Sequence, residues 1–279
     1  MSLNVAALGP NDAQPLRTLL ARDPSSNMYL LGLLEEFGIT PGPSRAPFTF
    51  WGRKVGSELT AAVFVGGTGG LVVPSTSDER DIAAIADVIA PQVQLRATFG
   101  ERTAVDALVR QLCGGAARFS RQQRQFAVSA DDLGPFTNPT LRLASESDLQ
   151  QLIPLAAGAV KETLEQDPLI LDPQGFKARV LQRIRARRTY VLEENRRLVF
   201  KIDIGSRSQY GAELEGLYTL PDQRRRGHAT LSLGQISRHL LSSLPRLTLR
   251  VDDRDPSLAG VARKVGYVGG KAVRLVVNG

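Results

Sequence analysis

Residues 223–230 of the chain read QRRRGHAT and lie between two apolar segments of different periodicity. The segment before them, residues 214–220, is a short apolar run that ends at Pro221, and it is predicted to be a buried strand. After them, apolar residues recur at steps of three and four from Ala229 to Leu244, which predicts an amphipathic helix. A turn of small and basic residues therefore joins a strand to the N-terminus of a helix.

A turn of this kind is suited to bind an anion. The first amides of a helix have no acceptor within the helix, and the helix dipole leaves about half a positive charge there. Gly227 and Ala229 carry little or no side chain, so the backbone can come close to a phosphate. The stretch contains neither the Gly-Lys-Ser/Thr of a P-loop nor the three-glycine pattern of a dinucleotide-binding turn. The sequence therefore predicts a phosphate site of another kind.

Arg224, Gly227 and Ala229 match the pattern Arg/Gln-x-x-Gly-x-Gly/Ala, which resembles the pyrophosphate loop of the GNAT acetyltransferase superfamily. The surrounding sequence extends this resemblance. Residues 212–224 resemble the superfamily's fourth strand where it leads into that loop. Residues 247–267 resemble its fifth strand, the turn that follows, and the helix with a Glu-Lys-Leu-Gly-Phe ending. The alternative is a helix N-terminus that contains a glycine by chance.

The composition is that of an ordinary globular protein. The 279 residues are 42% hydrophobic and 23% charged. No apolar run approaches the roughly 20 residues of a membrane span, and the N-terminus has no signal-peptide pattern. Cys113 is the only cysteine, so an internal disulfide is impossible, and with two histidines a zinc-type site is not expected. We therefore expect a cytoplasmic protein with no membrane segment and no metal.

The net charge of +7 is unevenly distributed. Residues 1–139 carry a net charge of −1, and residues 140–279 carry +8. A basic protein suggests nucleic-acid binding. However, the basic cluster at 177–188 contains no aromatic residue on which a base could stack. The excess charge lies in the half with the phosphate loop, so a polyanionic cofactor such as coenzyme A accounts for it, and nucleic acid is an unlikely partner.

The two halves of the chain repeat one order of predicted elements: strand, helix pair, three strands, helix, strand, helix, strand. This repeat resembles the tandem GNAT proteins in which the first half is a diverged copy. The resemblance implies an α+β fold with two domains, residues 1–136 and 140–279, each a mixed and mostly antiparallel sheet flanked by helices. Residues 131–135 are the predicted linker, and the halves are expected to pack as an internal pseudo-dimer in a monomer or a homodimer. Residues 40–44 and 66–70 are predicted to be a loop and a glycine-rich turn.

The corner between strand and helix differs between the two halves. In the first half it comprises residues 74–79, where Thr76 and Glu79 have the spacing of a capping box, so the helix can satisfy its own amides. The carboxylates of Asp78 and Glu79 also lie where a phosphate would bind. The second-half corner has three arginines and no carboxylate after Asp222. We therefore expect acetyl-CoA to bind in the second half only.

The resemblance also implies which residues bind acetyl-CoA. Backbone groups of Leu217 and Thr219 are expected to hold the pantetheine arm, and Asp255 stands at the superfamily's Asn position. The expected pyrophosphate residues are those of the loop: Arg224, Arg225, Arg226, Gly227, His228, Ala229 and Thr230. Within this loop, His228 is expected to be an exposed side chain above the phosphates.

The implied reaction is direct attack of a primary amine on the thioester of acetyl-CoA, which requires a proton acceptor, a group that stabilises the oxyanion, and a leaving thiolate. Glu213 stands where histone-type members of the superfamily carry their general base. Glu215 lies one strand step nearer the thioester on the same face. The alternative is that both carboxylates are solvated or paired with arginines. Ala262 replaces the superfamily's usual tyrosine acid, and Tyr218 is the candidate substitute.

The sequence therefore favours an acetyl-CoA-dependent N-acetyltransferase. The alternative is a coenzyme A-binding or regulatory protein that has lost catalysis together with the tyrosine acid. The acceptor is expected to be a small-molecule or peptide amine. The Lys and Arg residues between 177 and 188 either form a solvated face or border the acceptor entrance, in which case they favour an anionic acceptor.

Overall fold

The computed structural model describes residues 4–42, 46–67 and 70–278. The predicted loop at 40–44 and the glycine-rich turn at 66–70 each include residues outside this part of the chain. Within it, the strands and helices follow the predicted order in both halves. None of the helices in these ranges combines the length and the apolar character that a membrane crossing requires.

The described residues of the first half form a strand, two helices, three strands, and then alternating helices and strands. The strands are β1 (Asn4–Ala7), β2 (Phe48–Val55), β3 (Glu58–Gly66), β4 (Leu71–Pro74), β5 (Ala97–Glu101) and β6 (Phe119–Val128). The helices are α1 (Ala13–Leu20), α2 (Met28–Phe37), α3 (Glu79–Ile89) and α4 (Arg102–Cys113).

The second half repeats this order with one additional helical turn, α6, which the sequence does not predict. Its strands are β7 (Arg142–Leu143), β8 (Thr189–Glu194), β9 (Arg197–Ser208), β10 (Gly211–Thr219), β11 (Leu247–Asp252) and β12 (Val268–Val277). Its helices are α5 (Leu149–Leu164), α6 (Pro168–Leu171), α7 (Pro173–Arg185), α8 (His228–Leu241) and α9 (Pro256–Val265).

The twelve strands form one sheet in the order β1-β2-β3-β4-β5-β12-β6-β11-β10-β9-β8-β7. Among the described strands, β4 pairs with β5 and β10 pairs with β11 in parallel, and the other neighbours are antiparallel. The predicted mixed, mostly antiparallel sheet flanked by helices is therefore confirmed.

The last strand of each half is exchanged into the other half. Strand β6 pairs with the whole of β11, from Leu247 opposite Val128 to Asp252 opposite Gln123. Strand β12 in turn pairs with β5 of the first half. The order of elements does not indicate this exchange, which joins two expected sheets into one.

Burial of apolar side chains accounts for the exchange. Phe126 of β6 is 1% exposed and packs in the core of the second half, and Val276 of β12 is fully buried in the core of the first half. Full burial of a side chain such as Phe or Val is worth about 1.5–3 kcal/mol relative to exposure. Each exchanged strand therefore stabilises the half that it enters.

Helices cover both faces of the sheet. Successive residues of a strand point to opposite faces, and Val191 and Leu192 of β8 belong to two different cores. One core contains residues of α5 and α7, and the other contains residues of α8 and α9. The same alternation at Ala61 and Ala62 of β3 separates the core of α3 and α4 from that of α1 and α2.

One detail differs from the prediction. The cap of α3 is Asp78, whose carboxylate accepts the amide of Arg80 at 2.8 Å, so the predicted capping box of Thr76 and Glu79 is wrong. An Asp is a stronger N-cap than a Thr, which explains the choice. The predicted linker, residues 131–135, contacts the second half, because the Gly134 amide donates to the Val265 carbonyl at 2.9 Å.

The exchanged strands predict the behaviour of a truncated chain. Residues 140–279 alone lack β6, so β11 and β12 lose their shared partner and expose unpaired edges. We expect this fragment to be insoluble or self-associating when expressed by itself, as judged by size-exclusion chromatography with light scattering. Co-expression with residues 1–139 is the control and should restore a soluble complex. A folded, monomeric 140–279 fragment would contradict the role assigned to β6.

Candidate functional site

A cavity of about 830 Å³ lies where β10 and β11 stop pairing. Their parallel pairing is confined to Ala212–Leu214 opposite Leu247–Leu249. Beyond these residues the cavity is lined by β10 and β11 and by α5 and α7. Phe99 of β5 and Gln123 of β6 also line it, so the first half supplies part of the wall.

A bulge in β10 shapes the floor of the cavity. The pairing with β9 passes from Glu215–Asp203 to Tyr218–Lys201, so two residues of β10 lie opposite one of β9. Gly216, inside the bulge, has the left-handed φ of +58° that favours glycine. The bulge releases the backbone of residues 216–217 from the regular ladder, and both residues line the cavity.

A buried ionic network holds the bulge in place. Lys201 Nζ donates to the carbonyl oxygen of Gly216 at 2.9 Å and to Asp203 Oδ2 at 2.6 Å. Thr189 Oγ1 donates to the other oxygen of Asp203 at 2.7 Å. Lys201 is 3% exposed and Asp203 is 4% exposed, so these bonds are made away from bulk water.

Glu215 is tied to the same network by Arg183 of α7. The Nη2 atom of Arg183 lies 2.6 Å from Glu215 Oε1, and its Nη1 atom lies 2.9 Å from Asp203 Oδ2. The carboxylate of Glu215 is therefore fixed by a cation and not free in solution. The alternative stated for the two carboxylates, that they pair with arginines, is correct for Glu215.

Glu213 is more deeply buried and is paired with Arg250 of β11. The Nε atom of Arg250 donates to Glu213 Oε1 at 2.9 Å, and its Nη2 atom donates to the same oxygen. Within the described residues, Oε2 has no hydrogen-bond partner. Burial raises the pKa of Glu213, the Arg250 guanidinium opposes this effect, and the negative charge of Glu215 adds to it. Glu213 therefore offers one unengaged oxygen on the wall of the cavity.

The two positions considered for a general acid do not line the cavity. Tyr218 packs against α5, where a Cβ added at Gly158 would lie 2.5 Å from its phenol oxygen. Burial raises the pKa of Tyr218. Ala262 is fully buried in the core between α8 and α9, so a tyrosine there would overpack this core.

The loop before α8 leaves the first amides of the helix without a side-chain cap. Gly227 is left-handed at φ +89°, and Arg225 is left-handed at φ +66°. A Cβ added at Gly227 would meet only Leu231 Cδ1, at 3.9 Å, so the space in front of the helix is open. Arg225 and Arg226 are exposed beside it. The loop itself does not line the large cavity.

Arg224 links the loop to that cavity. Its Nε atom donates to the Thr219 carbonyl at 3.1 Å, and its Nη2 atom donates to Glu162 Oε1 at 2.5 Å. Glu162 lines the cavity, so this ion pair marks where the cavity approaches the loop. Asp255 also lines the cavity and caps α9 by accepting the Leu258 amide at 2.8 Å.

The expectation that His228 is exposed is wrong. His228 is 8% exposed, and its Nδ1 atom lies 3.6 Å from Glu194 Oε1. As the first residue of α8, it turns towards the protein and not towards the space in front of Gly227. The backbone of the loop, and not this side chain, is therefore what faces an incoming anion.

Sequence reasoning missed four residues of the site, namely Phe99, Lys201, Asp203 and Arg250. Lys201 and Asp203 could have been noticed, because they are two charged residues on one face of an otherwise apolar strand. Phe99 and Arg250 carry no such signal, since each lies in an unremarkable strand and acquires its neighbours only through the tertiary fold.

The fold is similar to that of solved structures of the GNAT acetyltransferase family, one of them a tandem protein. Neither a protein-family model nor a curated protein matches the sequence. Solved structures match over nearly the whole chain. An acetyltransferase of the GNAT family from Colwellia psychrerythraea is 12% identical with a TM-score of 0.59, and the alignment covers 99% of this chain and 100% of that one.

Two further solved structures match over nearly the whole chain. A tandem GNAT protein from the clavulanic acid biosynthesis pathway is 12% identical with a TM-score of 0.57, covering 100% of this chain and 99% of that one. A Drosophila protein is 12% identical with a TM-score of 0.68 and 99% coverage of both chains. At this level of identity the likeness establishes the fold.

The buried network predicts a stability effect. Lys201→Met removes two hydrogen bonds and the cation beside Asp203, leaving that carboxylate with Arg183 and Thr189. We expect the free energy of unfolding to fall by about 3 kcal/mol, near the lower end for breaking a buried ion pair. Urea denaturation of the full chain measures this. Lys177→Met, at an exposed position of α7, is the matched control and should change little. Equal losses in the two variants would contradict the network.

Proposed function

We propose that the chain is an N-acetyltransferase that binds acetyl-CoA in its second half. The observation that carries the proposal is the uncapped N-terminus of α8 behind the left-handed Gly227, beside a cavity between diverging parallel strands. Exposed amides and the cations of Arg225 and Arg226 suit a pyrophosphate. A cavity of about 830 Å³ is within the ordinary range for a ligand of this size.

Different residues would bind different parts of the cofactor. The backbone of 225–230 would hold the pyrophosphate, and the backbone of Leu217 and Thr219 would hold the pantetheine arm. Asp255 uses Oδ1 as a helix cap, which leaves Oδ2 to accept a pantetheine amide. Acetyl-CoA supplies a thioester whose carbonyl carbon an amine can attack, and a thiolate that can leave.

Glu213 is the proposed general base. As the amine nitrogen forms its bond to the carbonyl carbon and the carbon–sulfur bond breaks, the amine proton passes to the unengaged Oε2 of Glu213. A raised pKa brings this carboxylate nearer to neutral pH, where a base is most effective. Glu215 pairs with Arg183 and is the second candidate. Because the described residues that line the cavity include no tyrosine, the thiolate would leave unprotonated, which its pKa of roughly 8–9 allows.

The proposed acceptor is a small-molecule or peptide amine that enters beside α7. Arg179 and Arg183 line the cavity there and would favour an acceptor with a negative charge. Carboxylates already pair with both arginines, Asp172 with Arg179, and Asp203 and Glu215 with Arg183. A screen of anionic, neutral and cationic primary amines that follows free-thiol release tests this. Free-thiol release above the uncatalysed rate supports acetyl transfer. Binding of acetyl-CoA without release for any acceptor supports the non-catalytic alternative instead.

Gly227 provides the test of cofactor binding. Gly227→Glu places bulk and a negative charge in front of the α8 amides, so we expect acetyl-CoA binding to be lost in titration calorimetry. Gly227→Asn is the matched control, because Asn tolerates a left-handed φ and adds no charge. It should retain most of the affinity. Equal affinity of the wild type and Gly227→Glu would contradict the proposed phosphate site.

Glu213 provides the test of the base. Glu213→Gln removes the proton acceptor while keeping a group of similar shape, so we expect kcat to fall by about 10²–10⁴-fold with acetyl-CoA affinity unchanged. The base acts when deprotonated, so wild-type activity should rise with pH. Because burial raises the pKa of Glu213, this rise should lie above the ordinary Glu value of about 4.3. Glu215→Gln is the comparison. A larger loss for Glu215→Gln than for Glu213→Gln would reverse the assignment.

A further inference from the structure

Arg250 is held between two groups that come from different halves of the chain. Its guanidinium lies over the ring of Phe99, 4.3 Å from the ring centroid, while its Nε and Nη2 atoms bond to Glu213. Phe99 belongs to β5 of the first half, and Arg250 and Glu213 belong to β11 and β10 of the second. All three residues line the large cavity.

Phe99 is itself held in place by a contact with a second aromatic ring. Its ring meets that of Tyr29 on α2 edge-on, with centroids 4.9 Å apart and planes at 76°. A second space of only about 10 Å³ lies among Phe99, Tyr29, Glu213, Arg250 and Gln125. A space of this size holds at most one water molecule, so the guanidinium has little room on that side.

The Nε and Nη2 atoms of Arg250 both donate to the same oxygen of Glu213. This geometry depends on where the guanidinium lies. Arginine stacks on an aromatic face because its planar cation is weakly hydrated and is attracted to the π electrons. A leucine or methionine in place of Phe99 offers contact but no such attraction. The guanidinium could then move from the carboxylate towards the cavity.

We propose that Phe99 is a positioning residue for the reaction: its ring holds Arg250 so that both donors bond to Oε1 of Glu213 and Oε2 stays unengaged. This inference rests on the proposed function, since it concerns the proposed base. It also gives the diverged first half a part in the site. The first half has no phosphate loop of its own, yet β5 and α2 determine where the partner of the base lies.

Among the described residues, three charged or titratable groups face Glu213 from the elements packed around it. They are Arg250 on β11, Glu215 on β10 and Tyr29 on α2. Burial raises the pKa of Tyr29 to about 12, so this phenol stays neutral at working pH. Arg250 is the cation that bonds to Glu213 in the described part of the chain. Moving it away leaves burial and Glu215 unopposed, and the pKa of Glu213 then rises further.

The experiment compares ring-less and ring-retaining variants of the full chain. Phe99→Leu and Phe99→Met remove the ring, the second with a flexible side chain that is easier to pack. Phe99→Tyr keeps it. Phe64→Leu is the matched control, because Phe64 contributes to the same core as Phe99 but does not contact Arg250. The readouts are the carboxyl ¹³C titration of Glu213, assigned with Glu213→Gln, and the pH profile of kcat/KM.

We expect the Glu213 titration to move up by about 0.5–1 pH unit in both ring-less variants, part of the 1–3 units that a neighbouring cation supplies. The acidic limb of kcat/KM should move by the same amount. Phe99→Tyr and Phe64→Leu should leave both midpoints in place. An unchanged titration in the ring-less variants, or an equal shift in Phe64→Leu, would overturn the proposal.

The two readouts separate this inference from the proposed function. A shifted titration in a protein that transfers no acetyl group would refute the proposed function and support the positioning of Arg250. Acetyl transfer by the wild type with no shift in the ring-less variants would support the function and refute the positioning.

Discussion

The exchange of β6 and β12 is the constraint on which the other features depend. Each of these strands pairs with strands of the other half, β6 with β11 and β12, and β12 with β5 and β6, so the sheet is continuous and neither half is complete by itself. The exchange places β6 beside β11 and β12 beside β5, and the cavity wall therefore includes Gln123 and Phe99 from the first half. The site in the second half is built on a scaffold that the first half completes.

The two halves share a fold but differ in chemistry at the corresponding corner. In the first half the Asp78 carboxylate occupies the N-terminus of α3 and accepts one of its amides. In the second half Gly227 leaves the N-terminus of α8 uncapped, with cations beside it. A carboxylate and a phosphate compete for the same donors, so one corner is closed to an anion and the other is open. This difference contributes to the uneven net charge of the two halves.

Much of the fold could be predicted from the sequence, because strand and helix periodicity and the loop at 223–230 are local signals. The exchange could not, since local periodicity identifies β6 as a strand but not which strands it pairs with, and its burial, as at Phe126, depends on the tertiary fold. The positions of Glu213 and Glu215 on one strand face followed from alternation. Their arginine partners did not, because Arg183 and Arg250 reach them only through the tertiary fold. The exposure of His228 was predicted wrongly because loop sequence does not determine which way the first helical side chain turns.

Hydrogen–deuterium exchange of the full chain with and without acetyl-CoA tests the central claim, one cofactor site in the second half, most directly. The account predicts slower exchange in peptides that cover 214–219 and 224–231, because the backbone there would bind the pantetheine arm and the pyrophosphate. It predicts no change at 74–80, where Asp78 already caps the helix. Protection at 74–80, or acetyl-CoA binding without protection at 224–231, would contradict the account.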